Sequence, residues 1–111
     1  MPVGISSGRK EAVQVRLGEF LALTGEKRST LNYYVRLGLL PYTRADNGYR
    51  YFAATDCYRR VTLIRLLLRA PFRYPVDVIR EIFATQGIEM LWQKQAESHR
   101  ELRLYLVQRG F

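Results

Sequence analysis

The stretch TGEKRSTLNYYVRLGLLPYTRADNGYRYF, residues 24–52, decides the fold. Its first two residues, Thr24 and Gly25, end a short amphipathic segment in which Leu17, Phe20, Leu21 and Thr24 fall at helical spacing. That spacing predicts a first helix over Gly18–Leu23, with Gly18 as N-cap, Glu19 in the first turn, and Gly25 able to take a left-handed turn. A second helix is expected over Lys27–Leu37. Leu31, Tyr34, Val35 and Gly38 recur at i, i+3, i+4 and i+7 and make its inner face. Lys27, Arg28, Thr30, Asn32, Tyr33 and Arg36 are left pointing outward. Two helices joined by a tight glycine turn, the second basic and polar outside, have the pattern of a helix-turn-helix.

After the second helix, Gly38 closes it and Leu39–Leu40–Pro41 drops the chain back toward the core. Tyr42–Thr43–Arg44 and Tyr49–Arg50–Tyr51–Phe52 then flank Ala45–Asp46–Asn47–Gly48. Asn-Gly between β-prone runs signals a hairpin. Period-two alternation puts Tyr49 and Tyr51 on one face and Arg50 and Phe52 on the other. A two-stranded hairpin is marginal alone, so this one must lean on the helices as a wing. Upstream, Val15–Arg16–Leu17 is a short β-like lead into the first helix.

The charge concentrates in the same region. The chain has 111 residues and a net charge of +8, with 18 Lys and Arg against 10 Asp and Glu. Between Lys27 and Arg73 stand Lys27, Arg28, Arg36, Arg44, Arg50, Arg59, Arg60, Arg65, Arg69 and Arg73, opposed only by Asp46 and Asp56. Elsewhere basic and acidic residues cancel. A scattered excess would describe a generic soluble surface, whereas this contiguous one is the footprint of a polyanion binder. Arginine dominates the excess, and its guanidinium fork suits phosphate and guanine contacts.

In order and spacing, Thr24–Gly25, Ser29–Thr30–Leu31, Tyr33–Tyr34, Arg36, Gly38–Leu39–Leu40–Pro41 and Asn47–Gly48–Tyr49–Arg50–Tyr51 resemble the N-terminal domain of the MerR family of transcription regulators. The likeness is good over Val15–Phe52 and looser over Asp56–Phe83. It implies a mainly α winged helix-turn-helix from a bacterial, cytoplasmic regulator of transcription. Its second helix would enter the major groove of double-stranded DNA while the wing rests on the backbone. Lys27, Arg28, Thr30 and Asn32 match groove-facing positions of the family, and Tyr33, Arg36 and Arg50 match positions that touch phosphates. Arg44, Asn47, Tyr49 and Tyr51 of the hairpin join the candidate DNA-binding set. Arg59 and Arg60 read equally as backbone contacts or as solvated surface. By residue chemistry, Asn32 can pair bidentately with adenine and arginine with guanine.

The sequence departs from the family at Asn32, where arginine is usual, and at Glu26–Lys27, which replace an apolar residue and a serine. The link Ala70–Pro71–Phe72–Arg73–Tyr74–Pro75 is longer than the family's glycine-bearing turn. No effector domain and no metal-sensing cysteines are expected. The resemblance further implies a homodimer on a near-palindromic operator and admits RNA polymerase as a partner. Two other readings stay open: a MerR-like protein-binding modulator of the co-chaperone type, and an excisionase-like architectural DNA-binding factor. The arginine excess on the second helix and wing weighs against the first.

Beyond the hairpin, Thr55 is expected to cap a third helix reaching Arg69. Cys57, Val61, Ile64 and Leu68 line one face of it, widened by Leu63, Leu66 and Leu67. Pro71 ends that helix. Pro75 opens a fourth with Val76, Ile79, Ile82 and Phe83 inward, and Gly87 stops it. From Ile88 a single helix of about twenty residues is expected, with Ile88, Trp92, Gln95, His99, Leu102 and Leu106 forming a seam. Ile88, Leu91, Trp92, His99, Leu102, Tyr105 and Leu106 are thus the dimerisation candidates. The organisation expected is a flexible lead over 1–14, the DNA-binding domain over 15–86, and the dimerisation helix over 87–111.

Other chemistry finds little footing. No apolar run approaches a membrane span of ~18–20 residues. The lone Cys57 excludes an internal disulfide and reads as a small buried hydrophobe. A lone histidine makes no metal site. No carboxylate pair, Ser/His/Asp set or phosphate-cradling glycine loop is legible, so neither an enzyme nor a cofactor is expected.

Overall fold

The computed structural model describes residues 13–111, so the expected N-terminal lead lies outside the described residues except for Val13 and Gln14. The chain divides into two compact units, one ending at Tyr58 and the other spanning Arg59–Phe111. The boundary falls inside a helix.

In the first unit, strand β1 (Gln14–Arg16) runs directly into helix α1 (Leu17–Thr24), followed by α2 (Arg28–Arg36), β2 (Thr43–Arg44) and β3 (Arg50–Ala53). Helix α1 starts one residue before the sequence suggests. Arg16, not Gly18, sits at the N-cap, and its N–H donates to Glu19 Oε1 at 3.0 Å. At the other end the Thr24 hydroxyl bonds back to the Phe20 carbonyl, and Gly25 turns left-handed with φ 72°. Helix α2 closes at Gly38, with φ 79°. Its N–H donates to the Val35 carbonyl and that of Leu39 to the Tyr34 carbonyl, both at 3.0 Å. This double bond is the Schellman closure, and it needs a residue at C′ that tolerates positive φ. The closure returns Leu39 and Leu40 to the core, where both are 1% exposed.

The hairpin gains a third strand. β1 and β2 flank β3, both antiparallel to it, and Val15 faces Phe52 across the sheet. Both are buried. Phe52 stacks on Phe20 of α1 with ring centroids 5.4 Å apart, which fixes the sheet to the helices. The tip turns at Ala45–Gly48: Gly48 N–H donates to the Ala45 carbonyl, Ala45 N–H to the Tyr49 carbonyl, and the Asn47 side chain accepts from Tyr49 N–H. Leu31 and Tyr34 are buried on the inner face of α2, as the spacing requires, and Cys57 donates its thiol hydrogen to the Pro41 carbonyl.

Helix α3 (Ala54–Leu68) opens at Ala54 rather than behind a Thr55 cap. The Ala54 N–H donates to the carbonyl of Val13 at 2.8 Å, so the residue just before β1 satisfies the backbone there. In the second unit Val61, Leu63, Ile64, Leu66 and Leu67 are buried, while Leu68 is 37% exposed and departs from the expected face. Helix α4 (Val76–Thr85) takes Pro75 as its N-cap and buries Ile79 and Ile82.

The expected long C-terminal helix is broken. α5 (Ile88–Glu97) and α6 (His99–Gln108) meet at Ser98, an extended residue with φ −176° and ψ 161°. Its hydroxyl accepts the Glu101 N–H at 3.0 Å and caps α6. The two helices pack against each other, Arg103 Nη1 of α6 donates to the Pro71 carbonyl of the Ala70–Pro75 link at 3.4 Å, and two tyrosines tie the C-terminal end further. Tyr74 OH donates to the Phe111 carbonyl at 2.8 Å and Tyr105 OH to Gln86 Oε1 at 3.2 Å.

This corrects the proposed seam. Leu91, Leu102 and Leu106 are 0% exposed in the single chain and present no face to a partner. His99 stands edge-on to buried Phe72, Trp92 lies under the Arg59 guanidinium, and Ile88 is half-buried. Leu102→Ala should cost ~2–5 kcal/mol and Ser98→Ala ~1 kcal/mol, read as lower urea midpoints. Equal, negligible effects would mean that α6 does not dock as described.

Candidate nucleic-acid interface

The outer face of α2 and the hairpin carry the sequence-predicted residues of the first unit. Lys27, Arg28 and Arg36 are exposed, Tyr33 is exposed beside buried Tyr34, and Thr30 and Asn32 are half-buried. On the hairpin Arg44, Asn47 and Tyr49 are exposed, and Arg50 and Tyr51 are half-buried. The start of α2 is electrostatically unusual. Lys27 at its N-cap makes no side-chain cap bond, and no acidic residue stands in the first turn. Lys27 and Arg28 thus sit where the helix dipole favours an anion.

Sheet register adds a second crowding of charge. Arg44 of β2 and Arg50 of β3 are direct cross-strand partners. Like charges so placed destabilise a hairpin. Each guanidinium finds a neutral acceptor instead: Arg44 Nη1 donates to the Gly48 carbonyl at 2.7 Å, and Arg50 Nη2 donates to Asn32 Oδ1 at 3.3 Å. The second bond ties the hairpin to α2 across eighteen residues of sequence. Arginine and aromatic side chains interleave around it, with Arg50 over the Tyr42 ring at 5.4 Å and Arg36 over the Tyr33 ring at 5.8 Å.

Sequence reasoning missed Arg16. It stands opposite Tyr51 in the β1–β3 pairing, and its guanidinium lies 3.6 Å from the centroid of Tyr49, the diagonal neighbour on the same face. Arg16, Leu17, Gly18, Glu19, Arg28, Gly48, Tyr49 and Arg50 line an open cleft of about 730 Å³. Three arginines thus face one carboxylate, whose Oε1 already accepts the Arg16 N–H. The signal was present in the β-like Val15–Arg16–Leu17, but only the pairing with β3 brings Arg16 to the cleft.

Arg59 and Arg60 are placed differently, in the second unit. Arg59 makes an ion pair with Glu89 at 3.8 Å and lies 5.3 Å over the Trp92 ring. Arg60 lies 5.8 Å over the Phe83 ring. Glu89 and Trp92 belong to α5, and Phe83 to α4. Among the described residues no group of three or more His, Cys, Asp or Glu could hold a metal, and no helix is long and apolar enough to cross a membrane.

The family model for MerR helix-turn-helix regulatory proteins matches residues 15–86, most of the chain. The chain belongs to the MerR family. The matched span takes in the three-stranded sheet, α1 to α4 and the arginine cleft, and α5 and α6 follow it. Comparison with curated proteins and with solved structures gave no match. A helix-turn-helix regulator of the MerR type is therefore the coarse identity, and the arrangement of its arginines bears on the rest.

The Arg44–Arg50 juxtaposition makes its own prediction. Urea unfolding at about 0.01 M and about 1 M salt, where the screening length falls from roughly 30 Å to 3 Å, should show stability rising with salt. The rise should be smaller in Arg44→Gln. Identical salt responses would mean that the two guanidinium groups do not repel.

Proposed function

We propose that the chain is a sequence-specific double-stranded DNA-binding regulator of transcription, with α2 laid in the major groove and the hairpin acting as a wing on the flanking backbone. One observation carries this reading: the first unit holds like charges together at α2's first turn, across the β2–β3 pair and around the cleft. Each crowding costs stability in the free protein, and each is relieved by a polyanion. Duplex DNA supplies phosphates in a repeating line, which a single small anion does not. The exposed guanidinium groups and Tyr33 then hold the backbone, while Thr30 and Asn32 lie on the face offered to base edges.

The family's homodimer belongs to the same reading, as does its cytoplasmic setting and its work beside RNA polymerase. Burial of Leu91, Leu102 and Leu106 removes the seam read from the sequence. What α6 offers in its place is the pair Leu104 and Val107, 46% and 54% exposed and three residues apart on one helix face.

If two copies place Arg16, Arg28, Arg36 and Arg50 near phosphates, ~6–10 contacts form and affinity falls ~10³–10⁵-fold between about 50 and 200 mM salt. Sedimentation on the same operator should give two chains per duplex. A nearly flat salt response would sink the DNA reading, and one chain per duplex would sink the dimer alone.

A further inference from the structure

Asn32 lies on the outer face of α2, and taken alone its amide suits adenine. Bidentate adenine pairing uses both ends of the amide, the NH₂ donating to N7 and the oxygen accepting from N6–H. In the structure the oxygen is engaged. Oδ1 accepts from Arg50 Nη2 at 3.3 Å. A guanidinium has five N–H groups and no acceptor, so only the oxygen of the amide can face it. Chemistry therefore fixes which way the amide is turned.

Two consequences follow for a base edge brought to this spot. The NH₂ group is the free donor of the amide, and although Oδ1 keeps a second lone pair, any donor that approaches it must come up beside the Arg50 guanidinium. The Arg50 guanidinium beside Oδ1 is a second donor and a full positive charge, half-buried and held over the Tyr42 ring. Adenine would bring its own N6–H donor against that charge. Guanine presents N7 and O6, two adjacent acceptors with no donor between them. Resting on the DNA reading above, we infer that the Arg50–Asn32 hydrogen bond makes Asn32 a guanine-reading residue, so that a wing residue sets the base preference of α2.

This couples elements that the sequence treats as independent. A wing arginine contacting only phosphate would lower affinity for all sites alike when removed. One that also holds the Asn32 amide changes which base is chosen.

The test is selection on random duplex DNA with the full chain, Asn32→Ala and Arg50→Ala, each checked for an unchanged circular dichroism spectrum. Asn32→Ala identifies the position by losing preference at one base pair per half-site. There the wild-type chain should enrich guanine, and Arg50→Ala should shift the choice toward adenine while preferences elsewhere persist. A second arm needs no Arg50 variant: 7-deazaguanine at that position should weaken wild-type binding on the order of ten-fold and leave Asn32→Ala unaffected. Adenine enriched by the wild type, a guanine preference untouched in Arg50→Ala, or indifference to 7-deazaguanine would each overturn the inference. No enrichment at any position together with salt-independent binding would instead mean that the DNA reading itself has failed.

Discussion

Phe52 is the point at which the first unit is held together. It is fully buried, faces Val15 across the sheet, stacks on Phe20 of α1 and tilts against Tyr42 with ring centroids 6.1 Å apart. Aromatic burial of this kind supplies a large apolar area with a defined geometry. Period-two alternation then leaves Arg50, two residues earlier, on the same face of β3 and beside α2. The outward arginine of β1 is positioned by the same pairing. Without Phe52 in place, neither guanidinium has a reason to be near the cleft.

That anchoring lets the surface tolerate its own repulsion. A core that rigidly sets strand register also forces Arg44 opposite Arg50, and a helix start fixed by the Thr24–Gly25 turn carries Lys27 and Arg28 into the positive end of α2. The fold answers with neutral acceptors, the Gly48 carbonyl and the Asn32 amide, and with aromatic faces under the guanidinium groups. None of these removes a positive charge. The first unit therefore keeps a field that favours an anionic partner, and its geometry is set before that partner arrives.

Much of this was legible in the sequence because it is local. The glycine closures, the inner stripe of α2 and the Asn-Gly turn are each written within about two helical turns of residues. What was missed depends on contacts distant in sequence. Arg16 gains its place only through β1–β3 pairing, and the Arg50–Asn32 bond spans two elements whose registers must both be known. The break at Ser98 is different, since Ser98 followed three residues later by Glu101 is a capping signature. The apolar residues at mixed fours and threes read instead as one continuous seam. That same pattern is satisfied by two helices packed on each other, which is why Leu91, Leu102 and Leu106 are buried.

On the proposed reading, α2 and the hairpin of the first unit form the surface that meets duplex DNA. Titrating labelled protein with a short duplex and following backbone amide and arginine side-chain resonances tests it most directly. Perturbations should concentrate on Lys27–Arg36 and Arg44–Tyr51, with Arg16 and Arg50 guanidinium signals among those that move. Perturbations confined to Arg59–Phe111 would contradict it.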